Sequence, residues 1–280
     1  LRELARSFYV KGSSKMRKVE LISEVKAALM IPERLEELLY VLDSAAWQTF
    51  RKAAESSEPV KLNLTESRWY QILHGLCYLH FITGNRSLSC SVPPEIRTVY
   101  DSLVTDGLIQ RKKHYDQLHL YALAAANLYG VISQDDFVAL FNSQNEDNTS
   151  KEELFDALIR HIVVDAGYCF WDKYIVDIGF EDNSFADVSD LLAQIGDKPR
   201  YIPEKKEFLK YADWRYFEHN EHSRNLGDYL IHACGVAPLL VPKIVTELHE
   251  SCMLSESFQN RFDLLAEHGI EFDGDQLNEF

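Results

Sequence analysis

The chain has 280 residues, the size of about two domains. Hydrophobic residues make up 46% and charged residues 26%, which excludes a globally disordered chain. The net charge is −15, which argues against a surface that wraps nucleic acid over its whole length. No apolar run approaches the roughly 20 residues that cross a bilayer, since the longest candidate, Ala233 to Val245, contains two prolines and a lysine.

The cysteines are odd in number, and no two of them form a CxxC pair. They are Cys77, Cys90, Cys169, Cys234 and Cys252. A disulfide framework or a zinc ribbon needs a different spacing, so we expect free thiols in a reducing, cytoplasmic compartment, with no metal ion and no cofactor. The first ten residues alternate apolar and charged side chains and lack the pattern of a signal peptide.

Charge is unevenly distributed along the chain. Residues 1–30 contain seven Lys or Arg and three acids, which gives this segment +4 and leaves −19 for the other 250 residues. A basic head on an acidic body favours a local contact with nucleic acid over a broad one.

The first 30 residues carry two short apolar patterns of helical period around a basic, Gly-containing turn. Gly12 breaks the first helix and Ser14 is placed to cap the second. The apolar positions are Leu1, Leu4, Ala5 and Phe8, then Met16, Val19, Leu21, Ile22, Val25, Ala28 and Leu29. This spacing predicts a helical hairpin that buries little surface alone and must dock on its neighbour.

The residues of this hairpin resemble a known module, in the order Leu4-Ala5, Val10-Lys11-Gly12, Ser14-Lys15-Met16-Arg17-Lys18 and Leu21-Ile22. They are similar to the SAP-like N-terminal subdomain of the bacterial transcription terminator Rho, over about the first 30 residues only. The resemblance implies a bacterial protein whose hairpin contacts RNA or DNA through Lys11, Lys15, Arg17 and Lys18. The terminator's GxxxxGK[ST] loop and OB-fold strands are missing from the sequence.

Basic side chains beside free N–H groups at a helix N-terminus suit a phosphate. The alternative is that the module is a docking or folding cap with a solvated basic face.

Residues 31–115 predict a winged-helix-like domain. Helices are expected over Ile31–Leu42, over Ala45–Glu55 and from Thr65 to about His80, followed by a hairpin that includes Ser87–Val92. The third helix offers only Arg68, Gln71 and His74 to a groove, so we favour a scaffold or protein-binding role over base reading. The basic run Arg111-Lys112-Lys113-His114 is expected to be a solvated loop.

Residues 116–205 predict a second mixed unit of helices and a hairpin. Helices are expected at Leu118–Leu128, after Ser133 and at Lys151–Asp165, and a hairpin turns at Trp171-Asp172-Lys173. The repeated order suggests a degenerate duplication.

Residues 206–280 predict a C-terminal helical bundle, with helices at Phe208–Phe217, Leu226–Ala233, Leu239–Cys252 and Phe258–His268. Because the chain begins at Leu1 and ends at Phe280 within a helical pattern, we expect it to be a piece of a longer protein. The predicted fold class is mainly α with small β-hairpins.

Sites for catalysis or metal binding are not evident. His219 and His222 share a helical face near Glu218, but the matching ligand set of a di-metal bundle is missing, so we expect exposed polar residues. No GxSxG or HExxH motif occurs. Core packing is the favoured interpretation of the aromatic cluster Tyr211, Trp214, Tyr216 and Phe217.

The sequence favours two hypotheses of function. The first is a nucleic-acid-associated regulatory or adaptor protein without catalytic activity, which contacts RNA or DNA through residues 1–30. The alternative is a protein-interaction scaffold whose acidic body binds a basic partner, with a purely structural N-terminal module. A hydrolase or nuclease with an unrecognised site is the least favoured.

Overall fold

The computed structural model describes residues 1–84, 87–164, 166–196, 198–218, 220–253 and 258–270. These residues form a mainly helical protein with two small antiparallel sheets, which confirms the predicted fold class. Across the described residues, no helix combines the length and the apolar character that crossing a membrane requires.

The helices and strands run as follows. The first half contains α1 (Arg2–Ser7), α2 (Lys18–Leu29), α3 (Pro32–Val41), α4 (Ser44–Glu55), β1 (Val60–Lys61), α5 (Trp69–Gly75), β2 (His80–Thr83), β3 (Leu88–Ser91), α6 (Pro94–Thr105) and α7 (Leu108–Tyr129). The second half contains β4 (Val131–Ser133), α8 (Gln134–Gln144), α9 (Lys151–Val163), β5 (Tyr168–Trp171), β6 (Tyr174–Asp177), α10 (Ala186–Ile195), α11 (Lys205–Phe208), α12 (Glu221–His232), α13 (Val241–Met253) and α14 (Phe258–Glu267).

The first mixed unit joins α3, α4 and α5 to a sheet in the order β1-β3-β2. Cys90 of β3 lies opposite both Val60 and Phe81, and it is fully buried. Helix α5 ends at Gly75, well before the predicted end near His80, because Cys77 adopts a left-handed conformation (φ +63°). That backbone turn sends the chain directly into β2.

The second mixed unit repeats the strand order, as β4-β6-β5, around α7, α8 and α9. Ser133 and Ser150 cap α8 and α9 by accepting hydrogen bonds from the N–H groups of Asp136 (3.0 Å) and Glu153 (3.2 Å). The predicted hairpin turn is present, with Asp172 at φ +51°. The units differ in helix order, since two helices precede β1 and only one directly precedes β4.

Helix α7 runs through both units. Leu108 packs in the core of the first unit, whereas Leu118 and Tyr121 pack in the core of the second. The helix begins after Gly107 (φ +91°) and ends before Gly130 (φ +68°), two positions where only glycine is unstrained. The position between residues 115 and 116, where the sequence divides the two units, therefore lies within one continuous helix.

The expected solvated loop at residues 111–114 is wrong, because these residues belong to α7. Lys112 is only 1% exposed; its Nζ donates to the carbonyl oxygen of Leu42 (2.9 Å) and pairs with Asp116 one turn along. Arg111 pairs with Glu36 of α3 at 2.6 Å. Arg111 and Lys112 therefore tie α7 to the first unit, whereas Lys113 is exposed.

The C-terminal region is helical but shorter in its first element than the sequence predicts. In place of a helix to Phe217, α11 is followed by a single 3₁₀ segment, Leu209–Ala212. Phe208 and Tyr211 pack into the core of the second unit, while α12, α13 and α14 share a separate apolar cluster around Leu230, Ile244, Leu248 and Leu265. The helical pattern at the end of the chain, residues 276–280, lies outside the described residues.

Candidate nucleic-acid interface

The turn between α1 and α2 positions the predicted contact residues. The chain reverses through Gly12 (φ +74°), and the N–H of Lys15 donates to the Gly12 carbonyl at 3.0 Å. Helix α2 begins at Lys18, with Arg17 as its N-cap residue and no side-chain capping bond. The expectation that Ser14 caps this helix is wrong, because the helix begins three residues later than the apolar pattern indicates. The first-turn N–H groups of α2 are left without a side-chain acceptor.

All four predicted side chains, Lys11, Lys15, Arg17 and Lys18, are exposed. In the part of the chain that the structure describes, none of them forms an ion pair or a side-chain hydrogen bond. They lie within eight residues of one another around the uncapped start of α2. This arrangement of cations and free backbone donors is suited to phosphate oxygens. We call Lys11, Lys15, Arg17 and Lys18 the basic turn.

The N-terminal module docks on the first unit. Phe8 is 6% exposed and meets Tyr78 edge to face, with ring centroids 6.1 Å apart. The guanidinium carbon of Arg34 lies 5.6 Å from the Phe8 ring centroid, and Lys26 of α2 pairs with Glu95 of α6 at 3.0 Å. The basic turn is therefore held against the body by an apolar anchor and an ion pair.

The third helix of the first unit has little to offer a DNA groove. Arg68 donates to the carbonyl oxygen of Val164 at 2.9 Å, and His74 Nδ1 lies 3.1 Å from the carbonyl oxygen of Leu79. Gln71 alone of the three predicted candidates is exposed without a contact in the described part of the chain. This supports a structural role for α5.

The corresponding helix of the second unit, α9, is similarly unsuited to base reading. Its Arg160 holds both carboxylate oxygens of Glu37 at 2.5 and 2.9 Å, and its Lys151 pairs with Asp135 at 2.9 Å. Two acids, Glu152 and Glu153, lie in its first turn. The helix dipole stabilises carboxylates at this end of the helix, and these carboxylates repel phosphate.

Sequence reasoning missed a buried histidine pair between α7 and α9. The rings of His119 and His161 stack at 3.7 Å with an interplanar angle of 6°, and His119 Nδ1 lies 2.8 Å from the hydroxyl of Tyr168. Burial, reinforced by Lys112, lowers the pKa of His119 to about 4. Burial also lowers the pKa of His161 to about 3, with His119 as a further cause. Both rings are neutral at physiological pH, and only a three-dimensional structure places residues 42 positions apart face to face.

The residues that the sequence offers as metal ligands, His219, His222 and Glu218, are not shown to form a metal site among the described residues. His222 is exposed at the start of α12 and Glu218 is exposed before it, while His219 lies outside the described residues. Among the described residues, no three His, Cys, Asp or Glu side chains are grouped as metal ligands.

The aromatic cluster divides between core and surface. Tyr211 and Phe217 are 8% and 6% exposed, as core packing predicts, but Trp214 is 63% exposed. Trp214 borders a cleft of about 740 Å³ that is also lined by Asp177 and Asp190, by the last turn of α7 (residues 126–129) and by Gly130. Burial raises the pKa of Asp177, whose Oδ1 accepts a hydrogen bond from the N–H of Gly179 at 2.8 Å.

Comparison with known proteins identifies no relative of this chain. No family model, no curated protein and no solved structure matches the chain significantly. The functional argument therefore rests on the geometry of the chain itself.

Proposed function

We propose that the protein is a nucleic-acid-associated regulatory or adaptor protein that contacts RNA or DNA through the basic turn. The observation that carries the proposal is the exposure of four unpaired cations around the uncapped start of α2. Several cations of the body are neutralised instead, including Arg111 by Glu36 and Arg160 by Glu37. The likeness of residues 1–30 to the SAP-like subdomain of Rho supports the same reading.

The test is fluorescence anisotropy of labelled single-stranded RNA, single-stranded DNA and duplex DNA across a salt series. A quadruple variant changes Lys11, Lys15, Arg17 and Lys18 to Gln. Charge variants of the full chain are preferable to deletion of residues 1–30, because Phe8 belongs to the core of the first unit. A matched control changes Lys52, Lys61, Lys113 and Lys206 to Gln, four exposed lysines that make no ion pair in the described part of the chain.

The intact chain should bind with roughly micromolar affinity at low salt. Four contacts predict a slope of log K against log salt concentration of about −3 for a single strand. The basic-turn variant should lose this binding while the control, with the same change in net charge, keeps most of it. Equal losses in the two variants, or no binding by the intact chain at low salt, would refute the proposal.

A protein-interaction scaffold is the second candidate, favoured by the cleft beside Trp214. Asp177 and Asp190 line it together with the negative end of the α7 dipole, so a basic peptide is the occupant that its charge fits. Calorimetric titration with a Lys/Arg-rich peptide tests it. Asp177→Asn/Asp190→Asn should abolish the heat of binding and Asp101→Asn/Asp147→Asn should not; equal behaviour of the two variants would exclude this cleft.

A further inference from the structure

Tyr9 occupies a backbone position at which glycine is the favoured residue. Helix α1 ends in a Schellman pair of hydrogen bonds, from the N–H of Tyr9 to the carbonyl of Arg6 (2.9 Å) and from the N–H of Val10 to the carbonyl of Ala5 (2.8 Å). Tyr9 is the left-handed residue of this motif, at φ +53°. A bulky side chain is strained in that conformation, whereas glycine is not.

The strained side chain is used for nothing inside the fold. Tyr9 is 87% exposed, and in the part of the chain that the structure describes its side chain makes no hydrogen bond and no ring contact. A strained backbone at an exposed aromatic residue adds no stability. A contact between this side chain and a partner outside the chain would explain why a tyrosine stands at this position.

The surroundings of Tyr9 indicate what that partner is. The basic turn begins at Lys11, two residues along the chain from Tyr9. Tyr9 also borders a cleft of about 580 Å³ whose walls include Phe8, Leu38 and Val163. Cations close to Tyr9 in the chain and an adjoining apolar surface match the two parts of a nucleotide, its phosphate and the face of its base.

We propose that Tyr9 is a stacking platform for an unpaired base and that the ligand of the basic turn is single-stranded nucleic acid. This inference rests on the proposed function and narrows its ligand class. In a duplex the base faces are covered by neighbouring base pairs, so a lone exposed ring beside a short row of cations has no face to stack on. In a single strand the phosphates reach Lys11, Lys15, Arg17 and Lys18 while one base lies flat on Tyr9.

The test compares Tyr9→Gly and Tyr9→Phe in the full chain. The probes are a labelled single-stranded oligonucleotide, its duplex, and an abasic strand of equal length that keeps the phosphates without the bases. Tyr9→Gly should weaken binding of the single strand about tenfold, the usual effect of losing one stacked base. Tyr9→Phe should bind like the original chain, and neither substitution should change binding of the abasic strand.

Thermal unfolding supplies the second measurement. Because glycine relieves the strain at φ +53°, the unfolding midpoint of Tyr9→Gly should stay the same or rise while binding falls. Undiminished binding of the single strand by Tyr9→Gly would overturn the stacking role and leave the basic turn as the contact. A lowered midpoint would overturn it as well, since it would make Tyr9 a structural residue. If the intact chain binds none of the probes, the proposed function itself fails and the platform with it.

Discussion

The buried histidine pair makes the fold sensitive to mild acid. His119 and His161 are neutral in the folded protein, with pKa values lowered to about 4 and about 3 by burial. In the unfolded chain both regain the ordinary histidine pKa of about 6.5. Between pH 6.5 and pH 4 the unfolded state therefore binds two more protons than the folded state, and stability falls as the pH falls.

The size of the effect follows from proton linkage. Two extra protons on the unfolded chain lower the free energy of unfolding by about 2.7 kcal/mol per pH unit once the pH is well below 6.5. Integrated from pH 7 to pH 5, the loss is about 4 kcal/mol, a large part of the stability of an ordinary domain. The cations near the pair, Lys112 and Arg160, act in the same direction on His161 because they also disfavour its protonation.

Denaturant unfolding at pH 7, 6 and 5 measures this loss. His119→Phe/His161→Phe keeps two stacked rings but cannot be protonated, so its stability should change with pH by about 4 kcal/mol less than that of the original chain over this range. His222→Gln removes an exposed histidine and should leave the pH dependence as it is. Parallel pH curves for the double variant and the original chain would refute the assignment of the acid sensitivity to this pair.

Two further predictions concern buried polar groups. Lys112→Ala should destabilise the protein by about 2 kcal/mol, because it removes a side chain that is 1% exposed and leaves the carbonyl oxygen of Leu42 without its donor. Lys113→Ala, at the exposed neighbouring position, should change the free energy of unfolding by less than about 0.5 kcal/mol. Similar denaturation midpoints for the two variants would contradict the buried role of Lys112. Tyr78→Phe should be neutral or stabilising, because its hydroxyl is buried with no hydrogen-bond partner among the described residues, whereas Tyr168→Phe should cost about 1 kcal/mol through loss of the bond to the histidine pair. Thermal unfolding of the two tyrosine variants, measured side by side, tests this comparison. A greater loss of stability in Tyr78→Phe than in Tyr168→Phe would contradict the prediction.

Local signals in the sequence were sufficient where the structure depends on neighbours in the chain. The Ser133 start of α8, the turn at Asp172 and the end of α7 at Gly130 all follow from residue types whose backbone preferences are strong. The predictions were wrong where long-range packing decides. Lys112 is the clearest case, because a run of basic residues indicates solvent exposure until the helix that carries it is packed against Leu42. Residue spacing offered one clue, since Lys112 and Asp116 are one helical turn apart.

The candidate site also combines features that the sequence predicts with one that it does not. Exposure of the four basic-turn residues was predictable, because lysine and arginine near a glycine turn have little reason to be buried. The helical pattern of the first residues places Phe8 on the apolar face and leaves Tyr9 off it, in agreement with their burial. The left-handed conformation of Tyr9 (φ +53°) was not predictable, because nothing in the order of residues shows that the chain turns there at a tyrosine instead of a glycine.

Charge distribution sets limits on the proposed contact. The body carries −19 and the first 30 residues +4, so a strand that leaves the basic turn enters a repulsive field. At physiological salt that field is felt over about 8 Å, little more than one nucleotide beyond the last cation. The bound segment is therefore confined to a few nucleotides around α2, and its affinity depends on few phosphates. In such a short site one stacked base contributes a large share of the binding free energy, which is the physical reason for an exposed aromatic ring beside so small a set of cations.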